Sequence, residues 1–503
     1  MDLRRVASHR AVDPVLAAFA YILACGLRLP LRSAPYYGDE GMLYYVSRHF
    51  WSVPANVQDV YLPYYYHFGF IFFQRPVYYL TYAPAAHLSF DAFRLFHITL
   101  SSLLPVALFY LLRGHGVRRV LAFAAALVTA TYPFFVSFGA IALMDTYGVL
   151  LFVGGLALRA HGRPVLAGLA LLASVGAKET AWFGVVFVLS LDLWTHRARG
   201  GRLFPMRASP LATTLLYGLP FVLLPLSVAL SHGLVPGAHA TVIRPDAMID
   251  GLTLAPWLAL LAALGLLDRR TRRLALEGLF FPVFLFLTHV VAHRSVEAWY
   301  TILPCTLTLA AATLTLDEAC DRARRHVLPV RWGVPATALA VAGLLLSTPI
   351  VAASETKTRI LHPFYGEPVP SLAEVYRQEA GRDPDYWDAI RYLEGRPGRP
   401  AVLVDIIEPM FLYPLADEGR QLTTGFTEPS VKFQQDPRPW AVAVESGGSL
   451  TLLYKYDTRL NHAIRDTYAD CGVYDNPLYA IYEGEGCPGR AEQLAAALAA
   501  RTS

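Results

Sequence analysis

A few short stretches of this 503-residue chain carry side chains that could do chemistry. "GDEG" at residues 38–41 sets Asp39 and Glu40 side by side in a run of tyrosines, and "QRPVYYL" puts Arg75 directly before a proline. "ALMDTYGVLLF" holds Asp145, "GAKETAWF" holds Lys178 and Glu179, and "HRSVEAWYTILP" holds Arg294, Glu297 and Tyr300. A carboxylate beside a reacting hydroxyl can take its proton, and Arg or Lys can neutralise an anionic leaving group. The plainer reading is also open: interfacial acids pair with a nearby arginine, and cations snorkel to lipid headgroups. Which reading holds depends on whether the intervening elements bring these residues to one place.

Those elements are apolar. The chain is 55% hydrophobic and 16% charged, against roughly 25% charged residues in soluble domains. Its 28 Tyr and 27 Phe suit aromatic belts at membrane interfaces. Long apolar windows predict a polytopic α-helical membrane protein with about eleven spans, each near the ~20 residues that cross a bilayer. The windows are 13–31, 93–112, 120–138, 146–160, 164–177, 180–195, 211–231, 252–267, 275–292, 299–316 and 333–353. Alternate loops are rich in arginine ("RGHGVRR", "RAHGRP", "THRARGGRLFPMR", "DRRTRR", "DRARRHVLPVR"), and the loops between them are not. By the positive-inside bias the N-terminus is cytoplasmic and everything after Thr356 is extracytoplasmic. On that topology all the residues singled out above fall on the outer face. The first apolar window reads as an uncleaved helix rather than a signal peptide, because many similar spans follow.

The first outer loop, residues 31–91, is long for a connection between neighbouring spans, and long loops are usually functional. Its aromatic, proline-broken second half reads as amphipathic helices lying in the interface; a transmembrane helix over residues 76–88 would reverse every later loop. The chain divides into a membrane domain, 1–356, and a soluble α/β domain, 357–503. In the latter, Trp387, Tyr413, Trp440, Tyr454, Tyr456 and Tyr479 serve either acceptor recognition or the domain's own core. Cys471 and Cys487 lie in this region, where a disulfide can form if it is extracytoplasmic.

In order along the chain, "GDEG", "QRPVYYL", "ALMDTYGVLLF" and "GAKETAWF" resemble the GT-C class of membrane glycosyltransferases, which use polyprenyl-phosphate sugars and include protein O-mannosyltransferases and the lipid A aminoarabinose transferase. The resemblance covers the first ~200 residues in pattern and the whole chain in architecture. It implies transfer of a sugar from a polyprenyl-phosphate donor to a lipid, glycan or protein acceptor, without a nucleotide sugar. Asp39 matches the family's catalytic Asp and would be the general base. Glu40 would orient Asp39 or hold a cation or an arginine. Arg75, in the family's basic-Pro position, and Lys178, one of four lysines in the chain, would receive the leaving phosphate, with Arg294 a further candidate. Asp145 reads as an acceptor- or sugar-binding acid or as a helix N-cap. Glu179, Glu297 and Tyr300 complete the substrate-binding set, although "HRSVEAWY" departs from the Arg-Tyr pair that the family often carries there.

Other functions fit less well. The arginines are dispersed rather than gathered on one basic face, so a nucleic-acid partner is not expected. His67, His232, His239, His289 and His293 form no spaced ligand set, so no zinc site is expected, and a divalent cation is the one cofactor left open. A transporter or flippase of lipid-linked sugars would carry internal repeats and ionisable residues deep in its spans. A non-catalytic assembly protein of the same class is the third reading. The membrane lipids themselves are partners on every one of them, and the inner membrane is the expected location.

Overall fold

The computed structural model describes residues 3–33, 40–49, 57–59, 75–178, 181–198, 256–292, 301–326, 384–398, 400–404, 422–424, 438–445, 448–454, 459–477, 479–487 and 489–500. They divide into two compact units. The first comprises residues 1–32, 72–82 and 91–376; the second comprises 33–71, 83–90 and 377–503.

In the first unit, helices occupy every apolar window that falls among the described residues; windows 211–231 and 333–353 lie outside them. Helix α1 (Leu3–Arg28) runs on through a 3-10 turn, so that Val12–Arg32 is long and apolar enough to cross a membrane. Leaving α2 (Glu40–Arg48), strand β1 (Val57–Asp59) and α3 (Pro76–Leu88) aside for the moment, α4 (Phe90–Ser101) and α5 (Leu104–Gly114) form a second such segment, Phe90–Gly114. Helices α6 (Arg119–Thr131) and α7 (Pro133–Ala140) pass only as a pair bent by 60°. The bend follows from sequence. Pro133 cannot donate a backbone hydrogen bond and pushes Tyr132 out of the helical region, where it has φ −66° and ψ 129°. Then come α8 (Met144–Ala160), α9 (Pro164–Ala177), α10 (Ala181–Ala198), α11 (Pro256–Leu264), α12 (Arg272–Ala292) and α13 (Ile302–His326). The third segment long and apolar enough to cross a membrane, Ile302–Ala323, lies in α13.

The arginine-rich loops converge on one end of this unit. Asp13 pairs with Arg113 at 3.1 Å and with Arg119. The Arg118 guanidinium donates to the buried Asp317 carboxylate at 2.7 Å, and Arg270 pairs with Glu318 at 2.8 Å. Arg159 and Arg273 share Asp192 and the buried Glu277. Opposite charges from helices far apart in sequence therefore hold the helix ends together, and a buried carboxylate without such a partner would be costly. The opposite end is fastened differently. Buried Arg28, at the foot of α1, donates to Ser102 Oγ at 2.9 Å and to the Phe135 carbonyl at 3.0 Å. Gly139 makes room for it, since a Cβ there would run into the Arg28 guanidinium. Arg94 on α4 donates to the Arg32 carbonyl at 3.1 Å, tying down the point where the chain departs into the first loop.

The second unit holds a six-stranded sheet of order β1-β3-β2-β4-β6-β5. Its remaining strands are β2 (Ala401–Val404), β3 (Leu422–Thr424), β4 (Ser449–Tyr454), β5 (Gly472–Asp475) and β6 (Tyr479–Glu483). Strands β1, β3, β2 and β4 run parallel, while β6 is antiparallel to β4 and β5. Strand β1 comes from the first loop, so residues 57–59 of that loop are part of the sheet. Helices α14 (Pro384–Gly395), α15 (Arg438–Val444), α16 (Arg459–Thr467) and α17 (Ala491–Ala500) belong to the same unit. Val444, Leu453, Ile464, Tyr468, Tyr482 and Leu494 centre its core. Cys471 and Cys487 are joined as a disulfide, with Cα atoms 6.0 Å apart.

Candidate active site

Asp145 lies in the first turn of α8, where the helix dipole favours a negative charge. The N-cap position itself belongs to Leu143 and makes no side-chain cap, so capping is not the task of Asp145. Lys178 ends α9: its N–H closes the last turn on the Ser174 carbonyl, and its own carbonyl accepts from Ala181 N at the start of α10. A cation suits that C-terminal position. The two meet. Lys178 Nζ stands 3.2 Å from Asp145 Oδ1, and each side chain is only 5% exposed. Gly148, one turn beyond Asp145 on the same face of α8, permits the approach, because a Cβ there would lie 2.8 Å from Lys178 Cβ. Residues that the sequence assigned to different ends of the reaction thus form one buried ion pair. Arg159, at the other end of α8, is about 21 Å away along the helix axis and belongs to the arginine network.

Arg75 immediately precedes α3, and its carbonyl accepts the first helical hydrogen bond, from Tyr79 N at 3.2 Å. Pro76 at the first helical position suits that start, having no N–H to leave unpaired. Helix α3 is about 20 Å long, shorter than a bilayer core. It is gripped by protein along its tyrosines: Tyr78, Tyr79 and Tyr82 are buried. Tyr78 donates to the Ala142 carbonyl at 2.7 Å, in the turn that leads into Asp145. Tyr82 stacks on Tyr78 with ring centroids 4.3 Å apart and meets Tyr147 edge-on at 5.5 Å. Thr81 Oγ1 and the Tyr147 hydroxyl are 3.3 Å apart. The start of α3 is thereby docked at the Asp145 end of α8.

Glu40 opens α2 and is fully buried. Asp39, Glu179, Arg294, Glu297 and Tyr300 lie outside the described residues. Among the acceptor-recognition candidates Tyr479 is buried in the core of its unit; the side chains of Trp387, Tyr413, Trp440, Tyr454 and Tyr456 lie outside the described residues. No group of three or more His, Cys, Asp and Glu able to hold a metal occurs among the described residues. The sequence reading missed Tyr78, Tyr82, Tyr147 and the buried Arg28 and Arg94. The spacing of Arg75, Tyr78 and Tyr82 on one helical stripe was a usable signal; nothing local marked Tyr147 or the two arginines.

No protein-family model matches the chain, and no curated protein matches it in sequence. Solved structures do match in fold. ArnT from Cupriavidus metallidurans in the apo state superposes with a TM-score of 0.54 at 14% identity, covering 96% of this chain and 99% of that one. The chain has a GT-C fold. The same ArnT bound to undecaprenyl phosphate superposes with a TM-score of 0.52 at 13% identity, covering 94% of this chain and 98% of that one. The apo oligosaccharyltransferase of Archaeoglobus fulgidus gives 0.50 at 11% identity, over 90% of this chain and 71% of that one. The resemblance read from the sequence motifs is therefore matched by the fold. With this fold, and with helices long and apolar enough to cross a bilayer, the chain is a membrane protein.

Proposed function

We propose that this protein is an inner-membrane glycosyltransferase that moves a sugar from a polyprenyl-phosphate donor to an acceptor on the outer face. The observation that carries the reading is the buried Asp145–Lys178 pair at the end of α8 where Arg75 and α3 dock, in a chain with a GT-C fold. A GT-C structure of the same architecture, ArnT, holds undecaprenyl phosphate, which makes a lipid phosphate the natural anion for Lys178 and Arg75.

On this reading the acceptor hydroxyl or amine attacks the anomeric carbon while the bond from that carbon to the phosphate oxygen breaks. The acceptor's proton passes to the Asp39 carboxylate. The bonding pair leaves with the lipid phosphate, whose charge is met by Lys178 and Arg75. Asp145 keeps Lys178 aimed and compensated before the donor arrives. Glu40, buried at the head of α2, orients Asp39, while Glu179, Arg294, Glu297 and Tyr300 contribute to substrate binding.

The test is sugar transfer by the purified protein from a polyprenyl-phosphate sugar. Asp39→Asn keeps the size of the side chain but cannot accept a proton, and turnover should fall about 10²–10⁴-fold at unchanged protein abundance. Near-parental turnover in Asp39→Asn would sink the mechanism. Loss in Glu40→Gln alone would move the base by one residue.

A further inference from the structure

The contacts of α3 carry more than its docking. Tyr82 and His97 are both fully buried, and the Tyr82 hydroxyl lies 2.6 Å from His97 Nδ1. His97 belongs to α4, part of a segment long enough to cross the membrane. Phe93 and Phe96 of the same helix pack edge-on against the Tyr82 ring at 5.4 and 5.3 Å. On the other side Tyr82 stacks on Tyr78, whose hydroxyl is bound to the Ala142 carbonyl.

We propose that Tyr82 and His97 are positioning residues that hold Arg75 at the Asp145–Lys178 end of the bundle; this rests on the donor-phosphate reading of Arg75. The physical argument is one of register. Arg75, Tyr78 and Tyr82 are spaced three and four residues apart, so they share one stripe of α3. Sliding or rotating α3 by a single residue would part the buried Tyr82 hydroxyl from the His97 ring nitrogen and break the Tyr78 bond to the Ala142 carbonyl, and unmade buried hydrogen bonds are costly. The observed register makes both bonds at once. In that register Arg75 lies one helical turn from Tyr78, about 5 Å along the axis, and Tyr78 is bonded three residues before Asp145. An apolar pair would bury as much surface, but it would permit the slip.

Tyr82→Phe in the full-length protein tests this, since it keeps the ring and its stacking and deletes the hydroxyl alone. Amide exchange over residues 76–82 should accelerate, and binding of undecaprenyl phosphate should weaken by about 3- to 10-fold, the range set by one buried hydrogen bond. Added to Arg75→Ala, the same change should weaken binding no further, because it acts through a guanidinium already removed. His97→Leu should reproduce the effect, and His97→Gln, which can still accept the tyrosine hydrogen, should recover part of it. Unchanged exchange over residues 76–82, or a binding loss that persists in full on the Arg75→Ala background, would overturn the proposal. If the parent fails to bind undecaprenyl phosphate, the donor reading falls. The positioning role is then decided by amide exchange and by phenylglyoxal labelling of Arg75, which should differ between parent and Tyr82→Phe; identical labelling would overturn it.

Discussion

Asp145 and Lys178 are contributed by different helices, and each would be an expensive residue to bury alone. Removing one partner of such a pair leaves the other charge uncompensated, at a cost of about 3–5 kcal/mol, whereas replacing both by apolar groups can be nearly neutral. Lys178→Met should therefore destabilise the protein strongly. Lys178→Met combined with Asp145→Leu should regain most of the lost thermal stability yet remain inactive with a polyprenyl-phosphate donor. Thermal unfolding and transfer assays on the two variants check this. A single Lys178→Met variant as stable as the parent would mean that the ion pair contributes nothing to folding. Gly148 is subject to the same geometry, because any side chain there must displace Lys178.

At the scale of elements, the second unit shows how one side chain can anchor a helix. Glu445 accepts from Gly489 N at 2.8 Å, from Arg490 N at 2.9 Å and from the Tyr468 hydroxyl at 2.8 Å, capping the start of α17. Burial pushes the Glu445 carboxyl up, but these hydrogen bonds and the Arg490 charge outweigh it and hold the group below the ordinary glutamate value of 4.5. Arg490 likewise bonds Asp470 and holds its carboxyl below the usual aspartate value. A depressed acid stabilises the folded state above its unfolded pKa, and that contribution is lost as pH falls through its folded value. The unit should thus lose stability as pH drops below about 4.5. In Glu445→Gln that acid-dependent loss should be smaller, and stability at neutral pH should fall by about 1–2 kcal/mol. Unfolding midpoints at pH 4 and pH 7 for parent and variant measure both. An unchanged pH dependence in Glu445→Gln would assign the acid sensitivity to other groups.

For the whole molecule, the ion pairs among Arg113, Arg118, Arg119, Arg159, Arg270 and Arg273 gather the basic loops at one end of the first unit, away from Asp145 and Lys178. On the proposed orientation, set by the positive-inside bias, that end would face the cytoplasm, and the candidate site and the residues after Thr356 would lie outside. A reporter fused after residue 360 should be active only outside the cell. In parallel, Cys471 and Cys487 should resist thiol alkylation in cells until a reductant is added, since such disulfides persist in oxidising compartments. Cytoplasmic reporter activity together with freely alkylated cysteines would reverse the orientation and remove the active face from its proposed side.

Apolar periodicity was enough to find the helical windows that fall among the described residues, because the tendency to bury in an apolar surrounding is written residue by residue. The order of "GDEG", "QRPVYYL", "ALMDTYGVLLF" and "GAKETAWF" was likewise enough to reach the GT-C fold. Local pattern does not specify which side chains meet across helices. That Asp145 takes Lys178 as its partner depends on Gly148 lacking a side chain at the crossing of α8 and α9. That α3 is locked by Tyr82 onto His97, and that β1 of the first loop joins the sheet with β3, are pairings between segments far apart in the chain. Such contacts are selected by a packing that buries Tyr78 and Tyr82 and satisfies their hydroxyls together, and only the tertiary structure makes that selection.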